Sequence, residues 1–167
     1  MYANIKLMLS FEQMLVRFGL ALVLGALLGA ERELVRKEAG IRTQMLVSGG
    51  AALFAMIGII LPYITAESFS PMLQPDMTMI NTGLAVIANI VVGIGFLGAG
   101  LIIKTTDHPH GVTTAALVWA TAAIGVLAGL GLFRFAIVCA LIIALLLFLI
   151  RKLKVPQRLE GRGRRSR

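Results

Sequence analysis

Long apolar runs alternate with short polar breaks between Phe18 and Ile150. A spanning helix needs about 20 residues, with a range of about 17–25. On that measure the pattern predicts five spans, at about 11–31, 43–64, 80–103, 113–130 and 132–150. The runs are continuous and lack the period of two of a membrane barrel. Only Gly129-Leu130-Gly131 separates the last two, where glycine ends one helix and lets the chain reverse. The predicted fold is an all-α integral membrane protein, a five-transmembrane-helix bundle. It is organised as one membrane domain over 1–151 and a tail over 152–167 that reads as disordered. The stretch 65–79, with Ser70-Pro71 and Gln74-Pro75-Asp76, reads as an irregular external loop.

Composition agrees. The chain is 58% hydrophobic and 14% charged, against about 25% charged for a soluble domain. So much apolar surface in so short a chain calls for lipid to cover it. Lys and Arg set orientation. Of the 16 basic residues, all but Lys6, Arg17 and Arg134 fall in the odd loops and the tail. This predicts an external N-terminus and a cytoplasmic C-terminus. The basic tail by itself resembles a nucleic-acid arm. Beside a membrane helix it reads as a topology signal with affinity for anionic headgroups, and no nucleic-acid partner is expected. A cleavable signal peptide is disfavoured, because Leu28 would stand where cleavage after Ala30 wants a small residue. The lone Cys139 reads as an apolar filler and Trp119 as a packing residue.

The residues that interrupt the apolar runs are the candidates for function. Only Phe18 to Ala30 of the first span is free of charge, about 20 Å at 1.5 Å per residue, against a core of roughly 30 Å. Arg17 is expected to snorkel outward. Glu31 is too short to do so and wants a basic partner, for which Arg42 is the best candidate, with Gly40 as the turn of the hairpin between them. Gly111-Val112-Thr113-Thr114 precedes the fourth span, where a threonine can cap the helix start. Glu31, Arg32, Arg42, Thr43, Thr113 and Thr114 thus form the candidate polar site at the cytoplasmic mouth, able to hold an ion or an anionic headgroup.

Gly93-Ile94-Gly95-Phe96-Leu97-Gly98 matches GxGxxG, but it lies inside an apolar span and not at a strand-to-helix turn. Gly93, Gly95, Gly98 and Gly100 are expected instead to permit close helix packing, as are Gly25 with Gly29 and Gly125 with Gly129. Asn89, Gly93, Phe96 and Gly100 share one helix face, so Asn89 is expected to point at protein, for interhelical hydrogen bonding. Ser48, Ala51, Ala55 and Gly58 share a small face on the second span. Asp107-His108-Pro109-His110 is a weak metal signal without evident further ligands. No nucleophile–base set, P-loop or HExxH appears, so an enzyme is not expected.

These stretches carry a resemblance. Leu24 to Glu33, Ala39 to Thr43, Gly93 to Gly100, Gly111 to Ala116 and Trp119 to Gly125 occur in the order found in the membrane domain of the MgtC/SapB family, which the chain resembles. The resemblance implies a bacterial inner-membrane protein linked to growth at low magnesium and to virulence. It also implies a modulator of other membrane proteins, the F-type ATP synthase among them. The alternative is a cation transporter or channel, with Mg²⁺ the one cofactor it raises. Many members carry an ACT-like domain after the fifth helix; the sequence ends at Arg167, and the expectation is a short member lacking that domain. The glycine faces leave room for a homo-oligomer.

Overall fold

The computed structural model describes residues 10–68, 75–104 and 109–152. Within them lie five helices, α1 (Phe11–Leu34), α2 (Ile41–Ser68), α3 (Pro75–Leu101), α4 (Val112–Gly129) and α5 (Phe133–Lys152). Each is long and apolar enough to cross a membrane. A two-residue antiparallel ribbon, β1 (Ile103–Lys104) with β2 (Pro109–His110), joins α3 to α4. The stretch read as an irregular loop, 65–79, is corrected at both ends, since α2 continues to Ser68 and α3 already begins at Pro75; its middle, 69–74, and the tail from residue 153 lie outside the described residues.

Helices α1, α2 and α4 form the centre, with α3 against α2 and α4 on one flank and α5 against α1 and α4 on the other. Absent side chains let the central three approach. A Cβ on Gly25 would lie 2.5 Å from the Gln44 carbonyl oxygen, and one on Gly29 would lie 2.6 Å from Ile41 Cα. A Cβ on Gly125 would collide with the Ser48 carbonyl oxygen, and one on Gly129 would lie 2.5 Å from that of Ala52. The pairs Ser48–Gly125 and Ala52–Gly129 advance by the same four residues, so α2 and α4 run parallel. Small side chains fill the seams: Ala21, Ala52, Ala128, Ala136 and Ala140 are all fully buried.

The glycines of α3 behave otherwise. A Cβ on Gly93, Gly95 or Gly100 would meet nothing within 4 Å, and one on Gly98 would make only an ordinary contact, 3.7 Å from Ala115 Cβ. No residue of Gly83–Leu101 is buried. The expected tight packing through this stretch is therefore corrected. The helix lies on the flank, with Gly95 and Gly100 open and Gly93 bordering a gap toward α2 instead of a seam. Trp119 is corrected too, being 51% exposed on the outside of α4.

Two turns close by backbone chemistry. After α4, Leu132 N–H donates to Leu127 O (2.9 Å) and Gly131 N–H to Ala128 O (3.0 Å), with Gly131 at φ +82°. This is a Schellman motif, and glycine supplies its left-handed residue. The same two bonds end α1, from Lys37 to Arg32 (3.0 Å) and from Arg36 to Glu33 (3.1 Å). Here Arg36 takes the left-handed position at φ +51°, and Ala39 follows at +56°. Gly40, expected as the turn of this hairpin, does not have a positive φ. Its missing Cβ instead makes room for the Glu33 carboxylate.

Candidate functional site

The polar residues at the basic-loop end divide into separate groups. Glu31 pairs with its neighbour Arg32, Oε2 to Nε 2.7 Å, and both side chains are almost wholly buried. The expected Glu31–Arg42 pair is not formed. Arg32 follows Glu31 directly in the chain and satisfies it within α1. Arg42 sits on the first turn of α2, exposed, and among the described residues no hydrogen bond or ion pair engages its side chain.

Glu33, absent from the residues singled out by sequence, does the local work. Its Oε2 accepts the Ile41 N–H at 2.9 Å, satisfying one of the unpaired amides that open α2. The signal was a second carboxylate two residues past Glu31, in the hairpin leading to α2. The expected threonine cap of α4 is also corrected. Gly111 occupies the cap position at φ +85° with no side-chain hydrogen bond. Thr113 and Thr114 are already inside the helix, the first exposed and the second buried. Any side chain on Gly111 would run into the Leu101 carbonyl, where the ribbon returns.

Arg17 is buried, at 7% exposure. It does not snorkel into bulk water. Its Nη1 donates to the Gly129 carbonyl oxygen at 2.9 Å, at the opposite end of the bundle from the basic loop. A guanidinium there meets the negative end of the α4 dipole and one of the carbonyls that the helix end leaves unpaired.

Sequence reasoning also passed over Gln44 and Thr121 as core polar groups and took Ser48 only as a small packing residue. Gln44, Ser48 and Thr121 are fully buried, and among the described residues Gln44 Oε1, Ser48 Oγ and Thr121 Oγ1 have no hydrogen-bond partner. The α2–α4 register puts Gln44 level with Thr121, one turn from Ser48. Their detectable signal was polar residues at helical spacing inside otherwise apolar runs.

Between α2 and α3 runs a groove of about 770 Å³. Arg42 and Thr43 stand at its mouth, Leu46, Phe54 and Ile90 are among its walls, and Asn89 lies near its far end. Asn89 is exposed along this groove, and among the described residues it makes no hydrogen bond to a neighbouring helix. The small residues Gly50 and Gly93 hollow the groove, and a Cβ on either would meet open space. Asp107 and His108 lie outside the described residues, and His110 is exposed in β2. No cluster of three or more His, Cys, Asp or Glu converges among the described residues.

The MgtC family model matches residues 18–155. The chain belongs to the MgtC family. It is 40% identical to Protein MgtC of Salmonella choleraesuis over 86% of its own length and 57% of the relative's. It is 40% identical to Protein MgtC of Brucella abortus over 80% of its length and 49% of the relative's. An uncharacterized protein of Synechocystis is 37% identical over 81% of the chain and 51% of that protein. This MgtC-family chain thus spans about half the length of the curated relatives it matches. No solved structure matches.

Proposed function

We propose that this MgtC-family chain is a non-enzymatic modulator of other membrane proteins, acting by lateral contact within the bacterial inner membrane. In this reading it serves growth at low magnesium and, in pathogens, survival in the host. The basic loop and tail face the cytoplasm, and the F-type ATP synthase is one candidate partner. A single observation carries the reading: α3 is a spanning helix with no buried residue between Gly83 and Leu101. Its outward residues Val92 and Phe96 are 72% and 81% exposed, with Gly95 open beside them. Small and flat helix faces are where membrane helices associate. The exposed Asn89 amide adds to this, because an unpaired amide in hydrocarbon costs several kcal/mol until a polypeptide supplies a partner.

Cation transport is the second reading, favoured by the unpaired atoms of Gln44, Ser48 and Thr121 in the core. Mg²⁺ takes octahedral oxygen coordination and is bound through carboxylates and retained waters. These core groups are an amide and two hydroxyls, a poor match for it. Purified protein in liposomes enclosing a fluorescent Mg²⁺ indicator separates the two. The modulator reading predicts no flux above protein-free vesicles, together with co-purification of a membrane protein that Phe96→Arg abolishes. Flux that Ser48→Ala and Thr121→Val remove would replace it with the transporter.

A further inference from the structure

At the mouth of the α2–α3 groove stands a cation, Arg42, that no carboxylate among the described residues pairs with. Glu31 pairs with Arg32 and the Glu33 carboxylate is held on the Ile41 amide, so neither forms an ion pair with Arg42. Below Arg42 the walls are apolar, including Leu46, Phe54 and Ile90. We propose that this groove is a binding site for one anionic phospholipid of the leaflet at the basic-loop end. Its phosphate sits on Arg42 and Thr43, and an acyl chain lies between α2 and α3.

Depth supports the assignment. Arg42 is the second residue of α2 and of the Ile41–Leu61 stretch that is long and apolar enough to cross a membrane. From there to Phe54 the helix descends about 18 Å at 1.5 Å per residue. Half of a hydrocarbon core of roughly 30 Å is about 15 Å, so the apolar walls run about as deep as one leaflet. Gly58 packs on Val86 across these antiparallel helices, which sets Asn89 level with Ala55. Asn89 therefore lies at or past the end of a single-leaflet chain and is left to other contacts.

Charge decides between a lipid and a protein helix. A helix in the groove must bring a carboxylate to the level of Arg42. A phospholipid brings a phosphate there in every bilayer, and guanidinium binds phosphate in bidentate fashion. A zwitterionic headgroup carries its own ammonium against its phosphate. An anionic one leaves the phosphate to Arg42. The site is separate from the outward Val92–Phe96 face, so it stands or falls independently of the partner reading.

The test uses the full chain in nanodiscs of equal phosphatidylglycerol and phosphatidylcholine, released and weighed by native mass spectrometry. Four proteins are compared: wild type, Arg42→Gln, Gly50→Leu, and a control with Arg151 and Lys152 both changed to Gln. Gly50 lines the groove and nothing lies within 4 Å of its Cβ position, so a side chain there projects into the groove. Thermal melts establish that every variant is folded. Wild type and the control are expected to retain one phosphatidylglycerol, preferred over phosphatidylcholine by about tenfold or more, the scale of one charge-assisted hydrogen bond. Arg42→Gln is expected to lose the preference, and Gly50→Leu to lose the lipid. No retained lipid in wild type would overturn the proposal. So would retention without regard to headgroup, or folded Arg42→Gln and Gly50→Leu proteins that match wild type. A polypeptide that co-purifies in place of the lipid and is lost in Gly50→Leu would assign the groove to a helix instead.

Discussion

Alanine in place of Gly125 should damage this bundle, while alanine in place of Gly95 should strengthen it. At Gly125 the new Cβ would collide with the Ser48 carbonyl oxygen and lie 2.8 Å from its carbon and 2.9 Å from its Cα. Ordinary carbon contacts are about 3.5–4.0 Å, so the α2–α4 seam must open by about 1 Å. Backbone cannot rotate aside as a flexible side chain can. The same seam is pinned one turn on, where Gly129 meets Ala52, and α2 is held from another side by Gly25 and Gly29. Overpacking of this kind costs about 1–3 kcal/mol, against a gain of about 1 kcal/mol from replacing a helical glycine with alanine. At Gly95 nothing lies within 4 Å, so only the gain remains. The two variants should differ by about 1–3 kcal/mol, or several degrees in melting temperature at about 2–4 °C per kcal/mol. The lone Cys139, half-buried against the core, reports unfolding through a thiol-reactive dye in mild detergent. A Gly125→Ala protein that melts with or above Gly95→Ala would refute the packing argument.

Substitutions at four further positions examine the loops by the same melts. Glu33→Ala removes the acceptor for the Ile41 amide and should cost about 1 kcal/mol, with Glu33→Gln recovering most of it. Thr113→Ala should stay within about 0.5 kcal/mol of wild type because Thr113 caps nothing. Gly111→Ala, by contrast, should be severe, because it meets the Leu101 carbonyl from a left-handed backbone. Arg36→Gly should raise stability by about 1 kcal/mol, since glycine adopts the left-handed position of that Schellman turn without a steric penalty. An unchanged or lower melting temperature there would count against the turn geometry.

The five helices were legible because lipid imposes a length and an apolar content on each span, and both can be read directly from the chain. The small face of Ser48, Ala51, Ala55 and Gly58 was legible for the same kind of reason, since helical spacing fixes which residues share a side. Which faces meet was not legible. Gly25–Gly29 and Gly93–Gly100 carry the same small-residue mark, yet the first pair lies in a seam and the second stretch lies open. Periodicity says nothing about which helix lands on the flank. Charge partners failed for a local reason. Glu31 had Arg32 beside it and Arg42 across a hairpin, and the choice depends on side-chain reach within α1. The threonine cap failed because the ribbon leaves room only for Gly111 at the start of α4. Arg17 was read as snorkelling because its acceptor, the Gly129 carbonyl, is 112 residues away in sequence.

Cross-linking in native membranes tests the central claim most directly. A photo-reactive residue is placed in turn at Val92 and Phe96 on the outward side of α3, and at Leu146, 53% exposed on the opposite flank in α5. Lateral docking through α3 predicts a discrete cross-linked polypeptide from Val92 and Phe96 and none from Leu146. Lipid adducts alone from α3, or equal polypeptide yields from all three positions, would contradict it.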